Sequence, residues 1–238
     1  MRLDKFLANL KLGSRKDVKK LIKSGLIKVN NELIKKDDYK LKPSDIVSYN
    51  NQVLEYKEFV YYLLNKPAGF VSATVDNLYP TVVSLIDDYH DLFPVGRLDV
   101  DTTGLLLITN DGEFSHRLTS PKYHVDKKYY VEFSGTYHND IPEIFKNRIQ
   151  IDDYLTLPAK YEYISDSSCY VTICEGKFHQ VKLMMKSVGL TVTKLERVSF
   201  AFLELDNTLE CGSYRELTKD EVMKLKNISK ELEGDLND

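Results

Sequence analysis

The chain has little with which to cross a membrane, staple itself or grip a metal. No apolar run in its 238 residues approaches the length of a membrane span. The start, Met1-Arg2-Leu3-Asp4-Lys5, lacks the apolar stretch of a secretory signal. A cytoplasmic protein that meets no membrane is therefore expected. Its three cysteines, Cys169, Cys174 and Cys211, are odd in number and lack the paired spacing of a zinc site. Free core thiols in a reducing compartment are the reading. The five histidines, His90, His116, His124, His138 and His179, show no metal-like clustering, so no metal is expected. Internal repeats and low-complexity segments are absent.

What is present is an ordinary globular composition, 42% apolar and 29% charged. The length suits one large domain, or a small one followed by a medium one. The net charge of −3 conceals an asymmetry. Residues 1–58 hold 14 Lys and Arg against 8 Asp and Glu, while residues 59–238 hold 19 against 28. A basic module of +6 thus precedes a body of −9, and this distribution, rather than the total, decides what the chain attracts.

In the basic module Leu3, Phe6, Leu7 and Leu10 make one apolar stripe on a first helix. Ser14 caps a second helix that Gly25 ends. Val18, Leu21 and Ile22 face one way, and Arg15, Lys16, Lys19, Lys20 and Lys23 crowd the outer side. Two short strands follow around Asn30-Asn31, then a third near Ile46-Val47-Ser48. A lysine-rich helix is usually just a solvated face. Here the cations lack acidic i+4 partners and would repel one another unless a polyanion met them. The segments Arg2-Leu3-Asp4-Lys5-Phe6-Leu7, Ser14-Arg15-Lys16 and Gly25-Leu26-Ile27-Lys28-Val29-Asn30 resemble the S4 RNA-binding domain over about residues 1–50. The resemblance implies that the second helix and the turn carrying Lys28 lie on structured RNA.

The most informative stretch is Gly96–Gly112, GRLDVDTTGLLLITNDG. Arg97, Asp99 and Asp101 sit on a tight loop immediately before Leu105-Leu106-Leu107-Ile108, an apolar run that reads as a buried strand closed by Asn110-Asp111-Gly112. Charged groups on a loop anchored to core are placed as catalytic groups tend to be. Elsewhere in the body, strands alternate with short helices, as in an α+β domain. Val60–Leu64 is a strand running into the Asn65-Lys66-Pro67-Ala68-Gly69 turn, with Lys66 read at its tip; Tyr129–Phe133 and Tyr170–Ile173 are further strands. A helix with Phe178, Val181, Met184, Met185 and Val188 on its core side places Lys182 beside a cleft. Thr218 and Glu221 form a capping box for a last helix, expected to fray beyond about Lys230.

Lys66-Pro67-Ala68-Gly69, the Gly96–Gly112 stretch, Lys127-x-Tyr129-x-Val131 and Glu175-Gly176-Lys177-Phe178-His179-Gln180-Val181-Lys182 together resemble the motifs of the pseudouridine synthases, in the branch with an N-terminal S4 domain. With the S4 segment they span almost the whole chain. Ser115-His116-Arg117-Leu118-Thr119-Ser120-Pro121 and His179-Gln180-Val181-Lys182 place it nearer the members acting on the small ribosomal subunit than their large-subunit cousins. One departure is Leu183, where the family often has a second basic residue. The resemblance implies an α+β architecture: an S4 domain over residues 1–58, then a catalytic domain over 59–238 built on a mixed, mainly antiparallel sheet with flanking helices. It implies isomerisation of one uridine in 16S ribosomal RNA, at a uridine-516-type site. The substrate would be the RNA itself or a small-subunit assembly intermediate, and the enzyme a monomer.

Converting a uridine to its C-glycoside breaks the C1′–N1 bond, turns the base over and rejoins it through C5. No group is added and nothing is oxidised, so no cofactor is expected. A carboxylate beside the sugar or base can serve as nucleophile or base. By resemblance Asp99 is that group and Lys182 the cation that keeps it charged. Arg97 would fill the gap left by the extruded base, and Tyr129 would stack on the flipped uracil. Lys28 and Lys66 join Arg15, Lys16, Lys19, Lys20 and Lys23 as expected RNA contacts. Two other readings compete. Asp99-Val100-Asp101-Thr102-Thr103 fits the D-x-D-x-T pattern of magnesium-dependent phosphohydrolases, although there an apolar strand should precede the first Asp, not follow it. A non-catalytic RNA-binding factor is the other, opposed by the joint presence of Asp99, Tyr129 and Lys182.

Overall fold

The structure, a computed structural model, describes residues 1–42, 44–55, 57–88 and 90–234. It forms two compact units, residues 1–60 with 87–91, and residues 61–86 with 92 onward.

The first unit contains α1 (Leu3–Asn9), α2 (Arg15–Lys23), β1 (Ile27–Val29), β2 (Glu32–Leu33), β3 (Val47–Tyr49) and β4 (Gln52–Leu54). Ser14 and Asp17 cap α2 reciprocally: the Ser14 hydroxyl accepts from the Asp17 N–H, and the Asp17 carboxylate accepts from the Ser14 N–H at 3.2 Å. The four strands run antiparallel in the order β2-β1-β3-β4. Two Asn-Asn pairs, Asn30-Asn31 and Asn50-Asn51, make the two-residue turns, all four residues having positive φ. The second pair adds β4, a strand the sequence reading lacked. Leu3, Phe6, Leu7, Val18, Ile22, Ile27, Val29 and Val47 close into one core.

The second unit contains β5 (Tyr61–Lys66), β6 (Phe93–Pro94), β7 (Thr103–Thr109), α3 (Gly112–Thr119), β8 (Lys127–Ser134), α4 (Ile141–Phe145), β9 (Gln150–Ile151), β10 (Tyr154–Leu155), β11 (Lys160–Ser165), β12 (Ser168–Ile173), α5 (Gln180–Ser187), β13 (Thr191–Phe200), β14 (Leu203–Glu204), β15 (Tyr214–Glu216) and α6 (Lys219–Gly234). Its main sheet has the order β11-β12-β8-β13-β7-β5-β15, with β14 beside β13 and β6 beside β7. Among the described strand pairings of this sheet only β7 with β13 is parallel, so the sheet is mixed and mainly antiparallel, as expected. Leu105 to Ile108 of β7 are at most 1% exposed, because this central strand is covered on both faces. One face packs Tyr61, Leu63, Leu105 and Leu107 against Phe114, Leu118 and Leu225 of the helices. The parallel pairing depends on Gly104: at φ +98° a Cβ there would lie 2.3 Å from the Arg197 carbonyl oxygen.

Three expectations are corrected. Phe178 belongs to no core stripe; it precedes α5 and is 79% exposed. Cys211 is exposed, so only Cys169 is a buried thiol and Cys174 a partly covered one. Finally, α6 runs on past Lys230 to Gly234, and residues 235–238 lie outside the described part.

The start of α6 is clamped as well as capped. Glu221 accepts from the Thr218 N–H at 2.7 Å and from both Arg215 guanidinium nitrogens at 2.9 and 2.7 Å. The Arg215 hydrogen bonds outweigh burial and hold the Glu221 carboxyl down at about 2, against an ordinary 4.5. A depressed acid contributes stability that is fully present above its unfolded pKa and is lost as pH falls through the folded value. Thermal melts are therefore expected to show Glu221→Gln destabilised by about 1–3 kcal/mol at pH 7. The difference from wild type should close between pH 4.5 and pH 2.

Candidate active site

Asp99 sits on the loop that leads into β7, and that loop is tied down at several points. The Ser72 hydroxyl donates to the Leu98 carbonyl at 2.8 Å and accepts from the Leu98 N–H at 3.0 Å. Gly69 N–H donates to the Val100 carbonyl at 2.8 Å. Beneath them lies Lys66, 0% exposed, whose ammonium donates to the carbonyls of Pro67, Val100 and Thr102 at 3.0, 3.3 and 2.8 Å. Burial pulls this ammonium down to about 8, with Asp101 and Asp99 opposing the fall. Lys66 is thus no RNA contact at a turn tip. It ends β5 and positions the Asp99 loop from below, its ammonium tying together the carbonyls of Pro67, Val100 and Thr102.

The facing wall is the segment Glu175–Gln180. Glu175 Oε1 accepts from the Leu157 N–H and the Gln180 amide at 2.8 and 2.7 Å, while Gln180 Oε1 accepts from the Lys177 N–H at 3.0 Å. This brace carries His179, in the left-handed region at φ 50°, into the first turn of α5. Lys182 follows on that turn. Its ammonium lies 2.8 Å from Asp99 and 2.7 Å from Asp101, and His179 Nε2 lies 3.6 Å from the other Asp99 oxygen. Burial lowers Lys182, but the hydrogen bonds to Asp101 and Asp99 outweigh it and hold the ammonium above its usual value. For Asp101 burial opposes ionisation, and the Lys182 hydrogen bond more than compensates. The result is a carboxylate at a cleft mouth beside a firmly charged cation. Asp101 as a second carboxylate on Lys182, and His179 beside Asp99, went unremarked in the sequence; their positions in the two motifs were the available signal.

Tyr129, on β8, is 6% exposed. With Leu98, Ile173, Val181 and Leu195 it lines a cavity of about 60 Å³ that opens on Asp99. Arg97, Thr102, Lys177, His179 and Gln180 join Asp99 in its lining, so apolar side chains and polar groups together offer a flat, polar-edged ring both packing and hydrogen-bond partners. Arg97 is exposed and, with Asp99, Asp101, Lys177, His179 and Lys182, borders a larger cleft of about 850 Å³. Behind Tyr129, Arg197 is 2% exposed, donating from Nε to the Leu105 carbonyl at 2.7 Å. Among the described residues no three His, Cys, Asp or Glu gather as metal ligands. Of the first unit's cations, Arg15, Lys16, Lys20 and Lys23 are exposed. Lys19, also exposed, pairs with Asp37 at 3.1 Å, and Lys28 donates to Asn51 at 2.8 Å. Among the described residues, then, these helix cations have an acidic partner in Asp37, brought from another segment.

Comparison with known proteins agrees with this layout. Residues 60–187 match the RNA pseudouridylate synthase family, and residues 1–47 the S4 domain. The chain belongs to the pseudouridine synthases, in the form that carries an S4 domain. It is 42% identical to an uncharacterized RNA pseudouridine synthase of Bacillus subtilis over 231 residues, 93% of this chain and 97% of the relative. It is also 42% identical to ribosomal small subunit pseudouridine synthase A of Vibrio cholerae over 226 residues, 93% of this chain and 98% of that one. The Escherichia coli protein of the latter name is 39% identical, covering 93% and 98%. A crystal structure of a pseudouridylate synthase superposes with a TM-score of 0.67 at 38% identity, covering 94% of this chain and 99% of that one.

Proposed function

We propose that this pseudouridine synthase isomerises one uridine of 16S ribosomal RNA, at a uridine-516-type site, with Asp99 as the catalytic carboxylate. The observation that carries the reading is Asp99 at the mouth of the Tyr129 cavity with Lys182 at 2.8 Å. The uracil leaves its stack and enters the cavity against Tyr129, and Arg97 fills the gap in the RNA. Asp99, paired with the Lys182 ammonium at 2.8 Å, then attacks the base or takes a proton from the sugar. The glycosidic bond breaks, the base turns and C5 bonds to C1′; any bond formed to Asp99 breaks again, and the proton lost from C5 is matched by one gained at N1. No cofactor takes part in this scheme. The enzyme works as a monomer in the cytoplasm, on the RNA or on a small-subunit assembly intermediate. The similarity to two ribosomal small subunit pseudouridine synthases A over nearly their full lengths supports the choice of subunit.

Mapping pseudouridines in ribosomal RNA from cells with and without the protein tests the proposal. Loss of one small-subunit site is the expected result; loss of a large-subunit site, or no change, overturns the assignment.

In this reading Arg15, Lys16, Lys20 and Lys23 contact phosphates. Reversing the charges of Arg15, Lys16 and Lys20 is expected to weaken binding to the RNA and flatten its salt dependence. Each lost phosphate contact should lower the slope of log affinity against log salt by about 0.7–0.9. Titrations at several salt concentrations measure it, and an unchanged slope would remove α2 from the interface.

A further inference from the structure

We infer that Phe178 stacks on a nucleobase adjacent to the target uridine, reading one neighbour of the substrate at the mouth of the cleft. The inference rests on the preceding assignment of Asp99 to an RNA uridine. A single exposed aromatic is ordinary on a protein surface, but this one is held in place at a functional cleft. One face of the ring lies on His179, with centroids 3.8 Å apart and planes at 20°, while the residue as a whole is 79% exposed. His179 is in turn 3.6 Å from Asp99. The pair stands between the Glu175–Gln180 brace and the first turn of α5, so hydrogen-bonded backbone presents the open ring face.

The larger cleft lined by Phe178 shares Arg97, Asp99, Lys177 and His179 with the smaller cavity that takes the uracil. A uridine drawn into that cavity leaves its chain neighbours in the larger cleft. Lys182 pairs with Asp99 and Asp101 in this cleft, and Arg97 and Lys177 add two further cations that suit a phosphodiester chain. Every base has a π-face to offer an aromatic ring, and purines offer the larger one, so a modest purine preference follows at that position.

The test uses the full chain and an oligoribonucleotide whose uridine is flanked on the 5′ or the 3′ side by 2-aminopurine, a base whose fluorescence is quenched by stacking. Wild type should quench one of the two probes on binding. Phe178→Ala should abolish that quenching and weaken binding about tenfold, whereas Phe178→Tyr should retain both. Neither change opens the core, because the ring is outside it. Equal quenching by wild type and Phe178→Ala overturns the inference. So does quenching of neither probe by wild type, or its loss in the Tyr variant as well. Failure of the Asp99 assignment shows separately, as ribosomal RNA whose pseudouridines do not depend on the protein.

Discussion

Asp99→Asn should leave an enzyme that binds RNA and does not isomerise it. The substitution keeps the shape of the side chain and a carbonyl oxygen for Lys182, which still has Asp101 at 2.7 Å, so the loop retains its ties to Ser72, Gly69 and Lys66. What is lost is the negative charge. A positioned acid–base group supplies about 10²–10⁴-fold, and an obligatory nucleophile supplies all of the turnover. In the proposed reading the binding energy comes from the cations of α2 and of the cleft, so affinity should change little. Tritium release from RNA containing 5-tritiated uridine, with filter binding on the same samples, separates the two quantities. Turnover near wild type would remove Asp99 from the chemistry.

Lys182→Met is expected to cut turnover roughly 30- to 100-fold, while Lys182→Arg stays within a few-fold of wild type. The ammonium serves Asp99 and Asp101 together, with its side chain 23% exposed and that of Asp99 25%. Its removal leaves two carboxylates facing one cleft with no cation between them. Complete burial would make a lost partner worth about 3–5 kcal/mol; partial exposure brings this to about 2–2.7 kcal/mol, which is the rate loss given. Arginine restores the charge and can serve both carboxylates at once. Folding should be nearly unaffected, since the side chain leaves the surface of α5 and not its buried face. Single-turnover rates for both variants check the point. Equal loss in Met and Arg would mean that the shape of the lysine, rather than its charge, matters.

The phosphohydrolase reading fails on topology. Its first aspartate should end an apolar strand, whereas Asp99 lies on a loop before β7 and after the two-residue β6. The family match and the fold place the same residues in a pseudouridine synthase.

Local chemistry was legible in the sequence wherever a few adjacent residues decide the outcome. Ser14 with Asp17 and Thr218 with Glu221 cap their helices as their spacing predicts. The four apolar residues of β7 are buried because such a run has no solvated face to offer. The motifs around Asp99 and Lys182 were likewise visible one by one. Their meeting at 2.8 Å was implied only by resemblance, since the two residues are 83 positions apart in the chain. The tertiary structure alone decided the rest. Lys66 reads as a turn-tip cation, but two of its acceptors are carbonyls 34 and 36 residues away that only the tertiary fold brings to it. Phe178 has the spacing of a core residue and yet stands in the cleft, because α5 begins only at Gln180. The parallel pairing of β7 with β13, the closeness of Gly104 to Arg197, and the gathering of Asp101 and His179 about Asp99 depend on contacts between distant segments. Such contacts leave no periodic trace in either segment, so they exist only once the sheet has closed.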